Sequence, residues 1–380
     1  MPWRTRTVVS ERDEFVRRRL SMRTSMTALC REFGISRNAG YELMRRYAEG
    51  ESNGLADRSS RPHTSPRQTA AELEARVCEL RIKYRFWGGR KLHRMLKNEG
   101  IDTPPAPSTI TDILRRNGLL LPERRLKRDW QRFEAAQPND LWQMDFKGHF
   151  PIANGRCHPL TVTDDHSRFN LCLGACGDET AETVRAQLER VFETFGLPDV
   201  MLMDNGSPWG SDQAHPHTRL TAHLIRLGIT VKHGRPYHPQ TQGKEERFHR
   251  TLKLELLSWH AGWPDLAAVQ ASFDAYREIY NQVRPHQSLG YDVPADHYRA
   301  SHRTLAEARR PFEYESQDEK RKVQEKGRIS FRGRQFLISR AFVGETVALR
   351  ASGDGVWEVY YRHQRVSSVD LRTPPSGPEL

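Results

Sequence analysis

Apolar residues recur at helical spacing over the first third of the chain, then switch to strand-like runs near residue 140. Ser10 to Leu20 reads as a short charged helix. Ser25 to Phe33 predicts a second, a Gly34-Ile35 turn follows, and Ser36 to Tyr47 predicts a third with Ser36 as its N-cap. This is the pattern of a helix-turn-helix, with Arg37, Asn38 and Tyr41 early on the recognition helix, where base edges would be met. The rival reading is an αα-hairpin without DNA contact. Residues 51–68 are rich in Ser, Pro, Gly and Arg and read as a linker. A second helical unit follows: Ala70 to Phe86, a Trp87-Gly88-Gly89 turn, Arg90 to Asn98, a Pro-rich hinge, then Ser108 to Asn117. Ser108 is an N-cap candidate there, with Thr109 and Thr111 beside it as further DNA-contact candidates. Two such units in tandem lengthen the duplex site that is read.

Leu141 to Phe150, His158 to Asp165 and Phe169 to Ala175 predict three successive strands. A helix from Thr180 to Phe195, a strand from Asp199 to Met203, a helix near 217–227 and a strand from Thr230 to Lys232 follow. Helices near 241–258 and 265–281 complete an α/β order with a mixed sheet. Short alternating runs from 327 to 370 predict a small all-β barrel. The reading is multidomain: a helix-turn-helix domain at 1–50, a linker at 51–68, a second helix-turn-helix-like domain at 69–127, a catalytic α/β core at 128–300, a connecting helical and charged segment at 301–326, and the β-barrel at 327–370.

Charge changes that picture. The 380 residues carry a formal charge of +12, which favours a polyanionic partner. Residues 1–134 hold 29 Lys and Arg against 17 Asp and Glu, leaving 31 of each in 135–380, so the whole excess lies in the helical third. A basic binding module is thus joined to a neutral one that keeps its acids. No apolar stretch approaches the ~20 residues of a membrane span, and the Arg-rich start lacks a signal peptide's apolar core. The five scattered cysteines suit a reduced, cytoplasmic protein with buried thiols.

Three acids stand out. Asp145 lies in L-W-Q-M-D-F on the first predicted strand, where an unpaired buried carboxylate costs several kcal/mol. Asp204 follows the apolar run Val200 to Met203 and opens D-N-G-S, at a strand end where α/β sheets carry reactive groups. Glu246 lies on a helix whose Phe248, Leu252 and Leu256 form a core stripe, so it faces away from the core. His249, Arg250 and Lys253 follow on its side at i+3, i+4 and i+7. Acids from two strands and a helix suit a pair of divalent ions about 4 Å apart acting on a phosphodiester. Hard ions such as Mg²⁺ take carboxylate oxygens and keep positions open for substrate. The bland alternative is that each acid is a turn former or ion-pair partner.

The motifs W-Q-M-D-F-K-G, D-N-G-S-P-W-G, H-P-Q-T-Q-G-K-E-E-R-F-H-R-T-L-K and Y-N-Q-V-R-P-H-Q-S-L-G resemble, in this order, the integrase-like DDE transposases of bacterial insertion sequences. The resemblance runs to about residue 370 and is strongest from 128 to 298. It implies an RNase H-like core with Asp145, Asp204 and Glu246 as catalytic and metal-binding acids. Glu245 is the rival third acid; the family places its Glu immediately before Arg-Phe-His, which selects Glu246. The resemblance also implies Mg²⁺ (or Mn²⁺), two ions with DNA bound, and strand transfer without a covalent protein–DNA intermediate. The implied partners are double-stranded DNA, both element ends and target, and further copies of the chain, as a dimer or tetramer on paired ends; it further implies nucleoid association. The 41 residues between Asp204 and Glu246 exceed the gap in many relatives, and the polar loop Trp209 to His217 holds the excess. Cys30 and Cys78 lack a Cys-x-x-Cys partner, so no zinc is predicted.

Tyr237, Lys244, Arg247, His249, Arg250 and Lys253 are read as further DNA contacts. His215-Pro-His217 reads as a solvated loop, and Asp164-Asp165 as structural or supporting acids. Two other functions fit the same residues. One is a catalytically inactive helix-turn-helix regulator; the other is a structure-selective nuclease that cuts without joining.

Overall fold

The structure, a computed structural model, describes residues 7–50, 54–57, 68–120, 134–210, 216–234 and 243–372. Tyr237, His215 and most of the 51–68 linker lie outside the described residues. The chain forms two compact units, Met1–Gln68 and Thr69–Leu380. The first holds α1 (Val8–Leu20), α2 (Met26–Glu32) and α3 (Arg37–Gly50) around Phe15, Val16, Leu29 and Cys30. Helix α1 starts two residues before Ser10, because Thr7 and Ser10 cap each other's backbone N–H groups. Ser25 and Ser36 accept from Ala28 N and Ala39 N, at 3.3 and 3.1 Å, and so start the next two helices. Gly34 takes φ +65° in the turn. At Gly40 a Cβ would sit 2.5 Å from Cys30 Sγ, so α3 crosses α2 at a distance only glycine permits.

The second unit opens with α4 (Ala71–Lys83), α5 (Gly89–Asn98) and α6 (Pro107–Arg116), packed around Val77, Trp87, Leu92 and Ile113. Helix α6 begins at Pro107, not after Ser108. Pro107 has the φ a first turn needs and lacks the N–H that a cap would satisfy, and Ala106 in the cap position makes no side-chain bond.

A mixed sheet follows, of β1 (Leu141–Phe146), β2 (Phe150–Ile152), β3 (Gly155–Asp164), β4 (Asn170–Cys176), β5 (Val200–Met203) and β6 (Thr230–His233). Strand β3 pairs antiparallel with β1, β2 and β4, whereas β1–β5 and β5–β6 are parallel. The run expected as one strand to Phe150 is broken at Gly148, which turns the chain with φ +82°. Helices α7 (Ala181–Phe195) and α8 (Arg219–Arg226) cover one face over Trp142, Met144, Leu160 and Val162. Helices α9 (Gly243–Glu255) and α10 (Leu266–Glu278) cover the other with Phe248, Leu252 and Phe273.

Both open sheet edges are closed by side chains, which blunts strand-to-strand aggregation. On β4, Gln270 accepts from Ala175 N at 2.8 Å and donates to Leu173 O at 3.1 Å. Asn281 brackets Asn170 in the same way, and Arg277 donates to Leu171 O. On β6, Gln364 accepts from Val231 N at 2.8 Å and donates to Val231 O at 3.1 Å.

Gln364 belongs to the C-terminal β-structure. Its strands are β7 (Glu319–Lys322), β8 (Arg328–Phe331), β9 (Arg334–Leu337), β10 (Thr346–Gly353), β11 (Val356–Tyr361) and β12 (Gln364–Asp370). They form an antiparallel sheet in the order β12-β11-β10-β7 and a β8-β9 hairpin. Strand β7 lies inside the segment 301–326, expected to be connecting and helical. Glu-Lys-Arg-Lys has no apolar alternation to betray a strand, yet it pairs with β10 at a sheet edge, where charge is tolerated.

His217 is not solvated as expected; its ring lies 5.4 Å from that of Phe342. Burial pushes His217 down to about 4, with His233 adding to the effect, and burial pushes His223 of α8 to about 4 as well. A histidine whose folded pKa is depressed stabilises the fold above its unfolded value near 6.5, and that stability is lost as pH falls toward 4. The urea midpoint is therefore expected to drop between pH 7 and pH 4.5. His223→Gln, which cannot charge, should flatten that drop, and an unchanged pH slope in the variant would refute the assignment.

Candidate active site

Alternation along β1 sends Trp142 and Met144 into the core and leaves Gln143 and Asp145 on the opposite face, beneath α9. Strand β1 pairs with β5 in the register Leu141–Val200, Trp142–Met201, Gln143–Leu202. Continued by two residues, that register sets Asp145 beside Asp204 at the carboxyl ends of neighbouring parallel strands, about 4.8 Å apart in backbone spacing. The chain turns sharply after β5. Asp204 Oδ1 accepts from Gly206 N at 3.0 Å, and a Cβ on Gly206 would press on that carboxylate at 3.3 Å. His233 Nδ1 lies 2.7 Å from Asp204 O, and Asn205 Nδ2 donates to Gly234 O at 2.9 Å, tying the turn to the end of β6.

On α9, Phe248 and Leu252 are buried and Glu246 is exposed. The three acids share one electrostatic field. Burial pushes Asp145 up to about 7, and Asp204, Glu179 and Glu246 push in the same direction. Asp204 is raised mainly by burial, with Glu179 adding and the Gly206 N–H opposing. Among the described residues, no three acidic, His or Cys side chains converge closely enough to hold a metal ion. The two aspartates are therefore adjacent, and Glu246 stands at the rim.

Several groups at this site take places that the sequence reading did not give them. Glu245 is fully buried, its Oε2 accepting from Thr161 Oγ1 at 2.8 Å while Oε1 has no partner. Burial drives it up to about 8, against the hydrogen bonds from Thr163 and Thr161. His249, expected to meet DNA, instead turns toward the sheet, with Nε2 2.8 Å from Thr161 Oγ1 and Nδ1 3.9 Å from Asp145. Burial and then Lys147 lower its pKa to about 3, so the ring is neutral and gives the aspartates no counter-charge. Glu179 faces His158 Nδ1 at 2.8 Å. The i, i+4 spacing of Glu245 and His249 was the available signal, since both fall beside the Phe248–Leu252 stripe.

Of the other DNA-contact candidates, Arg37, Asn38 and Tyr41 are exposed on α3. Ser108 is exposed and Thr109 half-buried, but Thr111 donates to Pro107 O at 2.8 Å and packs where α5 meets α6 at Gly89. Lys244 is drawn inward, where its ammonium pairs with the buried Asp165. Arg247, Arg250 and Lys253 remain exposed along α9. Asp164 caps the turn after β3, accepting from Ser167 N at 2.8 Å and Asn139 N at 2.8 Å.

Two integrase core domain families match residues 135–239 and 227–294. A homeodomain-like domain matches 39–114, and the IS481 family transposase C-terminal domain matches 318–376, beginning where β7 does. Among curated relatives, a 31.7 kDa protein of insertion element IS407 from Burkholderia multivorans is 29% identical over 248 residues, covering 63% of this chain and 85% of that protein. A 39.2 kDa protein of insertion element IS476 from Xanthomonas euvesicatoria is 27% identical over 266 residues, covering 66% and 71%. The solved HTLV-2 integrase catalytic core domain in complex with magnesium aligns at 17% identity and TM-score 0.35, covering 43% of this chain and all of that one. With a homeodomain-like helical region, an integrase core and an insertion-sequence C-terminal domain in this order, the chain is similar along its length to the integrase-like DDE transposases of bacterial insertion sequences.

Proposed function

We propose that the chain is an active DNA transposase whose Asp145, Asp204 and Glu246 serve 3′-end cleavage and strand transfer, with the helical units reading the terminal inverted repeats. The observation that carries this reading is the pair of aspartates. Two carboxylates sit at adjacent strand ends, burdened by burial and, at Asp145, by the charge of Asp204, and neither has a cationic partner among the described residues beyond a neutral His249. Such a pair asks for a cation. Its all-oxygen donors fit Mg²⁺ or Mn²⁺, with Glu246 completing the set. When bound, two such ions would supply positive charge to the attacking and leaving oxygens of the phosphodiester.

The chain's own residues do the rest. Asp204 is held in its turn by Gly206 N and His233. Arg247, Arg250 and Lys253 present cations on the Glu246 side of α9, where phosphates would lie. Arg37, Asn38 and Tyr41 face outward on α3, in position to meet base edges. Self-association on paired ends belongs to the same proposal.

The test incubates purified protein with end-containing duplex and Mg²⁺ or Mn²⁺, followed on denaturing gels. Nicks at the 3′ ends, then joined products when a 3′-hydroxyl donor is supplied, are expected. Cutting without joining would favour the nuclease reading. End binding without any metal-dependent cutting would leave only the regulator.

A further inference from the structure

We propose that Asp165 and Lys244 form a positioning pair that sets Glu246 against the two aspartates; this rests on the transposase reading above. Asp165 is buried, 1% exposed, in the turn after β3. Its Oδ1 accepts from Gln143 Nε2 at 2.6 Å, and its Oδ2 accepts from Ala135 N at 2.7 Å and pairs with the Lys244 ammonium. Lys244 Nζ also donates to Asp165 O at 3.1 Å, an oxygen that Arg168 shares. Gln143 precedes Asp145 by two residues on β1, and Lys244 precedes Glu246 by two on α9. One buried carboxylate therefore ties the strand that carries the first acid to the helix that carries the third.

Among the described residues Glu246 has no hold of its own. It is exposed and makes no hydrogen bond or ion pair among the described residues, so its carboxylate goes where the first turn of α9 goes. Apolar contact through Phe248 and Leu252 holds the helix on the sheet without fixing its rotation, because burial is not directional. Charge-assisted hydrogen bonds are directional. Lys244 engages one flank of that first turn, and Glu245, bonded to Thr161 on β3, engages the other. Thr161 Oγ1 also lies 3.0 Å from Asp145 O, so the second tether reaches the same strand as the first. Glu246 lies between the two flanks.

The pair belongs to the ligand-orienting groups whose loss weakens metal binding or activity by roughly 10–100-fold. The experiment measures Mn²⁺ binding calorimetrically on the full chain with end DNA bound, alongside cleavage rate, DNA affinity and thermal midpoint. Lys244→Met is expected to raise the Mn²⁺ dissociation constant and the Mn²⁺ midpoint for cleavage about tenfold, with end affinity unchanged, and Lys244→Arg to restore part of the loss. If Lys244→Met fails to fold, the double variant Asp165→Asn/Lys244→Met removes both charges together and keeps the test available. A folded variant of either kind that binds Mn²⁺ as the parent does overturns the inference, because a purely structural role would move the thermal midpoint alone. Asp204→Asn serves as the reference: if it leaves Mn²⁺ binding and cleavage intact, the transposase reading fails first. If only the Lys244 variants are silent, the positioning role fails alone.

Discussion

Asp204→Asn is expected to leave the protein folded and bound to element-end DNA while lowering 3′-end cleavage by roughly a thousandfold. The magnitude follows from losing several kcal/mol of transition-state charge stabilisation, at about 1.4 kcal/mol per tenfold in rate. The fold should tolerate the change. Asn keeps the oxygen that accepts from Gly206 N, and the turn stays anchored by His233 and Asn205. Removing that charge also relieves Asp145, whose pKa is raised partly by Asp204. Without metal the variant should melt no lower than the parent. Fluorescence anisotropy on labelled end DNA, a gel cleavage assay and a thermal melt check the three parts. Cleavage at the parental rate would remove Asp204, and with it the metal-carboxylate mechanism.

Glu255→Gln is expected to be the most damaging single change to the fold outside the hydrophobic cores. Glu255 ends α9, and both its carboxylate oxygens accept from Arg284 Nε at 3.1 Å, with each side chain only 11% exposed. Lys91 of α5 lies 3.9 Å from the same carboxylate, and burial followed by repulsion from Arg284 lowers its pKa to about 7. Tyr276 and His286 close the cluster. Two buried cations thus share one anion. Without it the Arg284 charge is stranded, and breaking such a pair costs about 3–5 kcal/mol. Urea denaturation should show a loss of that size, and Lys91→Met in the same background should recover part of it, since the two sites are coupled. A loss below about 0.5 kcal/mol, the level of an ordinary surface change, would mean that the cluster is solvated. The cluster also bears on function, because it joins the second helical unit to the helix carrying Glu246. Arg94–Asp292 and the Arg85–Trp259 stack tie the same helical unit to the segments that follow α10 and α9.

Local signals in the sequence determined the elements and the acids. Ser25, Ser36 and Thr180 cap the helices that their spacing predicted, because a cap bond reaches only three residues. Asp145 on an alternating strand, Asp204 at an apolar run's end and Glu246 outside the Phe248–Leu252 stripe were all readable, since strand and helix periods are intrinsic to the backbone. The cap of α6 was missed by two residues, because Pro107 outcompeted a serine cap.

Only the tertiary structure decided which side of α9 each remaining residue serves. At about 100° per residue, His249 lies about 60° from Glu246, at the margin of the buried sector, and Lys244 lies at its other margin. Helix geometry alone left both free to face solvent. Thr161 and Asp165, supplied by β3 and the turn after it, drew them inward. The capped sheet edges and the charged strand β7 were equally invisible, since Gln364 on Val231 and β7 on β10 are pairings between distant segments. What the sequence determined was the position of the three candidate acids and the elements that present them. What the fold decided was the polar scaffold around those acids, because it is built from partners that no local period brings together.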